Sequence, residues 1–427
     1  MSRNIFVNVI INLMNKKIVK NSVLLVGGQI VGRTIGFLYF IFLARQLSVE
    51  NFGIYAWVLG FIYNFLPIAD FGLQRYTLKH IPRQPQKTNY YFRHLLTFKV
   101  ILGVFTTILA ICSGLLLGLK GTKLISLLIF SSVFLLHNIF HIIVFFQNAQ
   151  ERVLTGIVAN IAFSSLGAIL GVLAIQLKLS VVWLFIAYLS ALSIAVLGLI
   201  IKAKKVNLPF KLAFDIDFTK KVFSECWVFA VLVIMANFYL RIPLMITGWL
   251  LGDYWSGIYG SVSKFIEAGV LIPQAILIAA APTFSRLLIT NKKKLKKIYA
   301  KLNLTVFLLA LPVAFIFNFS GKIFIGLVYG EKYFSAVPTL RILGLLMPIL
   351  FINWLAGNII ENSTRLKKFI PWAAGKFLFV FILSLILIKQ MGIIGGGWAL
   401  LAGEFLGLMI NLVFVGKILA VSNSRDK

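Results

Sequence analysis

"LARQLSVENFGIYA", Leu43 to Ala56, and "WLLGDYWSGIYG", Trp249 to Gly260, share one pattern: a leucine, a short polar stretch, then Gly-Ile-Tyr, each between two long apolar runs. At a fixed offset of 204 residues Leu47 falls on Leu251, Gly53 on Gly257, Ile54 on Ile258, Tyr55 on Tyr259 and Phe61 on Phe265. A recurrence at that distance divides the 427-residue chain into two similar halves.

The runs around the motif decide the fold class. The chain is 60% hydrophobic and 13% charged, with a mean hydropathy of +0.96, more apolar than a soluble domain can cover. Apolar stretches of about 20 residues, each enough to cross about 30 Å of hydrocarbon as helix, begin near Val19, Phe52, Arg93, Leu124, Val153, Val181, Val222, Ser256, Ile298, Ser335, Phe369 and Ile393. They lack the two-residue alternation of membrane strands, so helices are the spanning structure. The expectation is an all-α integral membrane protein of about twelve transmembrane helices. The motif then lies between the first and second helix of each six-helix block. Six is even, so the two lobes share one orientation and are related by a pseudo-two-fold axis along the membrane normal.

A net charge of +30 suggests nucleic acid only in a soluble protein; here the positions of the charges speak for a membrane instead. Of 36 Lys and Arg in loops and tails, 29 fall on the side of the two termini. That side is predicted to be cytoplasmic, in the cell membrane. The resulting layout is an interfacial amphipathic helix over 1–17, an N-lobe over 18–203, a cytoplasmic loop over 204–220, a C-lobe over 221–420 and a cytoplasmic tail over 421–427. Within 1–17 the residues Asn4, Asn8, Asn12 and Asn15 mark one polar face, which argues against a cleaved signal peptide.

Catalytic signals are sparse. The chain holds no Gly-x-x-x-x-Gly-Lys-Ser/Thr, and "GIIGGG", Gly392 to Gly397, opens an apolar helix without the strand a dinucleotide site needs. Cys112 and Cys226 lie in or at the edge of membrane segments and give no disulfide framework. His137 and His141 stand one turn apart, but with no third ligand nearby in sequence they are read as packing or cavity lining. Neither a cofactor nor a metal site is expected.

Charges at depth carry more information, because a charge at the bilayer centre costs on the order of 3 kcal/mol or more unless it faces water or a partner. At 1.5 Å per residue, Arg33 lies roughly 20 Å into the first helix, and Lys264 and Glu267 roughly 15 and 20 Å into the eighth. Arg241 and Glu404 also sit well inside. Gln29 extends the polar face of Arg33, and the repeat places Asn237, one turn before Arg241, opposite Arg33. A cavity lined by Arg33, Arg241 and Lys264 would suit an anion. Lys264 and Glu267, three residues apart, can equally neutralise each other. Asp70, near the end of the second helix, reads as a gate contact or as a cap for Arg75. Lys99, Arg341 and Lys376 lie about two turns from helix ends and are expected to snorkel to the interface. Stripes of small residues at Gly28, Gly32 and Gly36, at Gly167 and Gly171, and at Gly395, Ala399, Gly403 and Gly407 are expected to mark helix contacts.

The stretch "ARQLSVENFGIYAWVLGFIYNFLPIADFGLQRYTLKHIPR", Ala44 to Arg83, resembles the N-terminal signature of Wzx-like flippases. These form the polysaccharide-transport branch of the multidrug/oligosaccharidyl-lipid/polysaccharide exporter superfamily. The matching residues are Ala44, Arg45, Leu47, Glu50, Phe52, Gly53, Tyr55, Asp70, Gly72 and Leu73, with Ser48-Val49 where the pattern has Gly-Pro. The resemblance implies export of polyprenyl-pyrophosphate-linked oligosaccharide by alternating access, with lipid-linked oligosaccharide, membrane lipids, and a glycan polymerase or glycosyltransferases as partners, and no nucleic acid. A cation-coupled exporter of amphipathic drugs has the same superfamily fold but needs an acidic face, and the chain has 12 acidic residues against 42 basic. A membrane-embedded transferase or polymerase needs paired acids on a large polar loop, where only Asp215 and Asp217 are available.

Overall fold

The computed structural model describes residues 16–205 and 208–420, and among them it contains helices and no strand. The proposed interfacial helix, up to residue 15, and the tail 421–427 lie outside the described residues. In chain order the helices are α1 (Lys16–Gln46), α2 (Val49–Asp70), α3 (Leu73–His80), α4 (Thr88–Leu116), α5 (Gly121–Ser131), α6 (Val133–Ala149), α7 (Val153–Gln176), α8 (Val182–Lys205), α9 (Ile216–Leu250), α10 (Asp253–Gly269), α11 (Leu271–Thr290), α12 (Lys292–Phe319), α13 (Gly321–Val328), α14 (Val337–Glu361), α15 (Leu366–Met391) and α16 (Ile393–Ala420). Several pairs read as single spans, and among the described residues eleven are long and apolar enough to cross a membrane.

The expected eighth segment is the one that differs. It is two helices, α10 and α11, meeting at Val270. The sequence explains the interruption: Pro273 has no N–H to give the carbonyl of Gly269 one turn earlier.

Among the described residues two compact units emerge: the chain up to residue 40 with 68–227, and 41–67 with the chain from 228 on. Their boundaries fall inside α1, α2 and α9, and Pro67 is the last residue of its segment. Thus the end of α1 and most of α2 group with the second half of the sequence, whereas the layout read from topology kept them in 18–203. The reason is close backbone approach. A Cβ on Gly53 would overlap the carbonyl oxygen of Asp253 and stand 2.8 Å from the amide nitrogen of Gly257, and one on Gly257 would overlap the carbonyl of Val49. The two copies of the recurring motif therefore touch each other, backbone to backbone. Beside them Trp57 is fully buried, donating from Nε1 to the carbonyl of Met245 at 3.0 Å.

Reciprocal caps fix the same corner. Helix ends leave carbonyls without intrahelical partners. Lys332 donates to the carbonyls of Arg45 (3.0 Å) and Leu47 (2.6 Å) at the end of α1, and Tyr333 donates to that of Ala44 at 3.0 Å. In return Arg45 donates to the carbonyls of Val328 (2.8 Å) and Leu327 at the end of α13. This gives Ala44 and Arg45 of the signature a structural role.

In the second unit α14 is the central helix, packed by α12 and α16, with Leu343, Leu346, Met347, Leu350, Phe351 and Leu355 all buried. In the first unit α6 and α8 occupy the centre, and Phe92 meets Phe146 edge to face at 5.0 Å. Small-residue stripes lie at contacts in both: Gly28 against Ile157, Gly171 against Tyr39, and Gly403 against Val380. Gly36 has nothing within 4 Å and marks no contact. The Asp-x-Gly-Leu of the signature is the two-residue break between α2 and α3, with Phe71 at φ 51° and Gly72 at φ 74°. Only Gly72 adopts that region without strain.

Candidate substrate-binding site

The charges read from the sequence at depth resolve into three groups, which differ in how sealed they are. In the first, α9 presents Asn237 and Arg241 on one face, and α10 presents Lys264 and Glu267 one turn apart. Arg241 Nη2 donates to Glu267 Oε1 at 2.8 Å, and Lys264 Nζ donates to Glu267 Oε2 at 2.6 Å. One carboxylate thus serves two cations, and the group keeps a net positive charge. Arg241 Nη1 makes only longer contacts, to Asn237 Oδ1 (3.3 Å) and the Asn237 carbonyl (3.5 Å). Its Nε is buried without a hydrogen-bond partner. The guanidinium also stands 5.9 Å from the centre of the Tyr63 ring on α2. Side-chain exposures of 17%, 20% and 36% for Arg241, Lys264 and Glu267 leave the group accessible to a solute.

The second group is closed. Glu404 of α16 has no exposed surface and accepts from Lys376 Nζ (2.9 Å), from the Tyr239 hydroxyl and from Asn353 Nδ2, while Asn353 Oδ1 accepts in turn from Asn411 Nδ2 at 3.0 Å. Lys376 lies 4.1 Å over the Tyr239 ring. The expected snorkelling of Lys376 is therefore corrected: it turns inward, because the missing side chain of Gly407 leaves its Nζ room and Glu404 offers a charge. With every oxygen taken, the group braces α9, α14, α15 and α16 together.

Asp70 belongs to the third, in the other unit. It takes Lys99 Nζ at 2.7 Å, and Lys99 is 1% exposed, set over Phe145 and with its own carbonyl bound by Asn138. The snorkelling expected of Lys99 is likewise overturned by a buried partner. Arg341 is exposed. His137 contacts His141 at 3.2 Å and the Tyr188 hydroxyl at 3.1 Å, and no group of three metal ligands occurs among the described residues. Arg33 and Gln29 are exposed along one face of α1, in the first unit.

Of the proposed site residues the structure brings together Asn237, Arg241, Lys264 and Glu267, sets Asp70 and Glu404 in ion pairs of their own, and leaves Arg33 and Gln29 on a separate unit. Sequence reasoning missed Tyr63, Tyr239, Asn353 and Lys376 as neighbours of charges. Lys376 carried a signal, the small residues facing it on α16.

A family model for polysaccharide biosynthesis proteins matches residues 18–288, well over half of the chain. The chain belongs to that family. A multidrug resistance MATE family transporter of the MOP superfamily, solved in an inward-facing conformation, aligns with 91% of this chain and 94% of its own at 13% identity and a TM-score of 0.75. A MOP superfamily transporter from Pyrococcus furiosus, described as having a binding pocket of reverse polarity that suggests a different function, aligns over 95% and 96% at 14% identity and a TM-score of 0.66. At these identities the likeness shows the fold alone: a two-lobed MOP transporter. Among curated proteins, an uncharacterized membrane protein of Methanocaldococcus jannaschii is 26% identical over 133 residues. That match spans 30% of this chain and a quarter of the relative's length. This polysaccharide biosynthesis family member is a multi-pass membrane protein.

Proposed function

We propose that this transporter exports polyprenyl-pyrophosphate-linked oligosaccharide repeat units across the cytoplasmic membrane, for surface polysaccharide synthesis. The observation that carries the reading is the Arg241–Glu267–Lys264 group, two cations to one carboxylate in an accessible setting. A pyrophosphate must cross where its lipid tail cannot shield it, and an arginine fork with an adjacent ammonium is suited to receive it. Arg33, with Gln29 beside it, is the cation of the other half, and Asn237 lines the site. Both termini face the cytoplasm, the lobes are 18–203 and 221–420, and transport proceeds by alternating access. Asp70, Glu267 and Glu404 are the acidic residues proposed for coupling to an ion, and Glu404 would have to release Lys376 to take one up. The partners are membrane lipids and the glycan polymerase or glycosyltransferases that handle the same lipid-linked substrate.

A second reading, a cation-coupled exporter of amphipathic drugs, draws on the MATE fold of the structural neighbours. The positive charge of the site favours the first. Replacement of Arg33 tests its part in the first. Arg33→Ala should abolish glycan export with membrane insertion intact, and Arg33→Lys should restore part of it, because charge returns without the bidentate fork. Normal export by Arg33→Ala would reduce the residue to packing.

A further inference from the structure

We infer that Glu267 is a built-in counter-ion that occupies the anion site in the empty carrier and is displaced by the phosphate of the cargo. The inference rests on the anion-site reading above and adds how the site exchanges its occupant.

Three features of the geometry point the same way. Both oxygens of Glu267 are engaged, each by a cation from a different helix, as oxygens of a phosphate would be. A carboxylate and a phosphate offer the same acceptors to the same donors, so they compete for them. Second, Arg241 is engaged on one arm only. Nη1 has long contacts and Nε has none, although guanidinium favours paired donation to an oxyanion. A larger anion can use donors that Glu267 leaves idle, which gives cargo an advantage over the resident carboxylate. Third, Glu267 can leave. It is 36% exposed, and it sits two residues before the end of α10, where Pro273 removes the hydrogen bond that would stiffen the junction with α11.

Glu404 shows what a permanent partner looks like. It is sealed, takes three donors, and its lysine packs on an aromatic ring. The two carboxylates carry the same charge and both have lysine partners, but only Glu267 is shared between cations and open to a solute. An empty carrier with Arg241 and Lys264 unpaired would hold two like charges at membrane depth, a costly state. The counter-ion lowers that cost by cancelling one of the two charges, and it is returned when cargo departs.

The test is binding of a short prenyl pyrophosphate, farnesyl pyrophosphate, to the full-length protein in nanodiscs by titration calorimetry. Glu267→Gln removes the competing charge and keeps the shape. Its Kd should fall about tenfold relative to the unaltered protein, which is ~1.4 kcal/mol. Glu267→Asp keeps the competitor and should bind within about threefold of the unaltered protein, showing that loss of charge is the cause. Arg241→Gln should bind at least tenfold more weakly. Equal or weaker binding by a folded Glu267→Gln would overturn the inference while leaving the anion site standing, since the carboxylate would then orient the cations instead of competing for them. Should Glu267→Gln not fold, weaker binding by Glu267→Asp than threefold would overturn it by the same reasoning. Absence of binding by the unaltered protein would reject the anion site itself, and the counter-ion with it.

Discussion

Replacing Gly257 by alanine places one methyl group in the backbone contact between α2 and α10. The added carbon would overlap the carbonyl oxygen of Val49 and stand 3.1 Å from Val49 Cγ1 and 3.2 Å from the amide nitrogen of Gly53. Two of these neighbours are main chain, which no rotamer change can move, so α2 and α10 must separate. Overpacking costs about 1–3 kcal/mol, and a backbone clash belongs at the upper end. At ~2–4 °C per kcal/mol for a body of 150–250 residues, a cost near 3 kcal/mol lowers the apparent melting temperature in detergent by about 6–12 °C. Gly53→Ala meets the same contact from the other side and should cost about as much. The double variant should cost less than the two singles together, because helices already parted have room for the second methyl. Gly357→Ala supplies the control: it lies within α14 with nothing within 4 Å, and should be neutral or raise stability by about 0.5–1 kcal/mol. A Gly257→Ala protein melting within about 1 °C of the unaltered one would refute the account of why the motif recurs.

Lys376→Met should destabilise by about 3–5 kcal/mol by leaving the sealed Glu404 without its charge partner, and Lys376→Met with Glu404→Gln should recover much of that, as read by thermal unfolding. Asp215, ahead of α9, has its carboxyl held below the usual carboxylate range by the Phe218 amide, helped by the Tyr90 hydroxyl. A depressed value means its contribution is present above the unfolded pKa and fades as pH falls through the folded one. Protection of the Phe218 amide, taken relative to its intrinsic exchange rate at each pH, should therefore fall on acidification below about pH 4, and in Asp215→Asn it should no longer change with pH there. Reporter tags after Lys205 and Lys294 should be cytoplasmic and tags near Lys120 or Gly252 external; an external tag at Lys294 would break the proposed topology.

The fold was readable because its signal is composition and length: runs such as Leu124 to Ala149 are too apolar and too long for anything but membrane helix. The repeat at Gly53 and Gly257 was visible as a recurrence, but its reason, contact between the two copies, was not, since offset carries no distance. Pro273 stood in view as a helix breaker, and a count of apolar runs passes over it because hydropathy has no term for a missing N–H. The destinations of buried charges were the least accessible. Lys99 and Lys376 lie near helix ends, where a long stem normally reaches water, and the carboxylates that draw them inward are 29 and 28 residues away in sequence. Lys264 with Glu267 was legible as a pair because three residues make one turn. Arg241, 26 residues from Glu267, completes that pair only in the folded chain.

The central claim, that the positive group around Arg241 carries a phosphate-linked glycan lipid, is tested most directly by translocation in proteoliposomes. Purified protein would be supplied with a fluorescent polyprenyl-pyrophosphate oligosaccharide, and movement between leaflets read by a membrane-impermeant quencher. The account predicts protein-dependent movement that Arg241→Ala and Lys264→Ala each abolish, with an amphipathic cation dye left where it was. Movement of the dye with the glycan lipid left in place, or glycan-lipid transport indifferent to both substitutions, would contradict it.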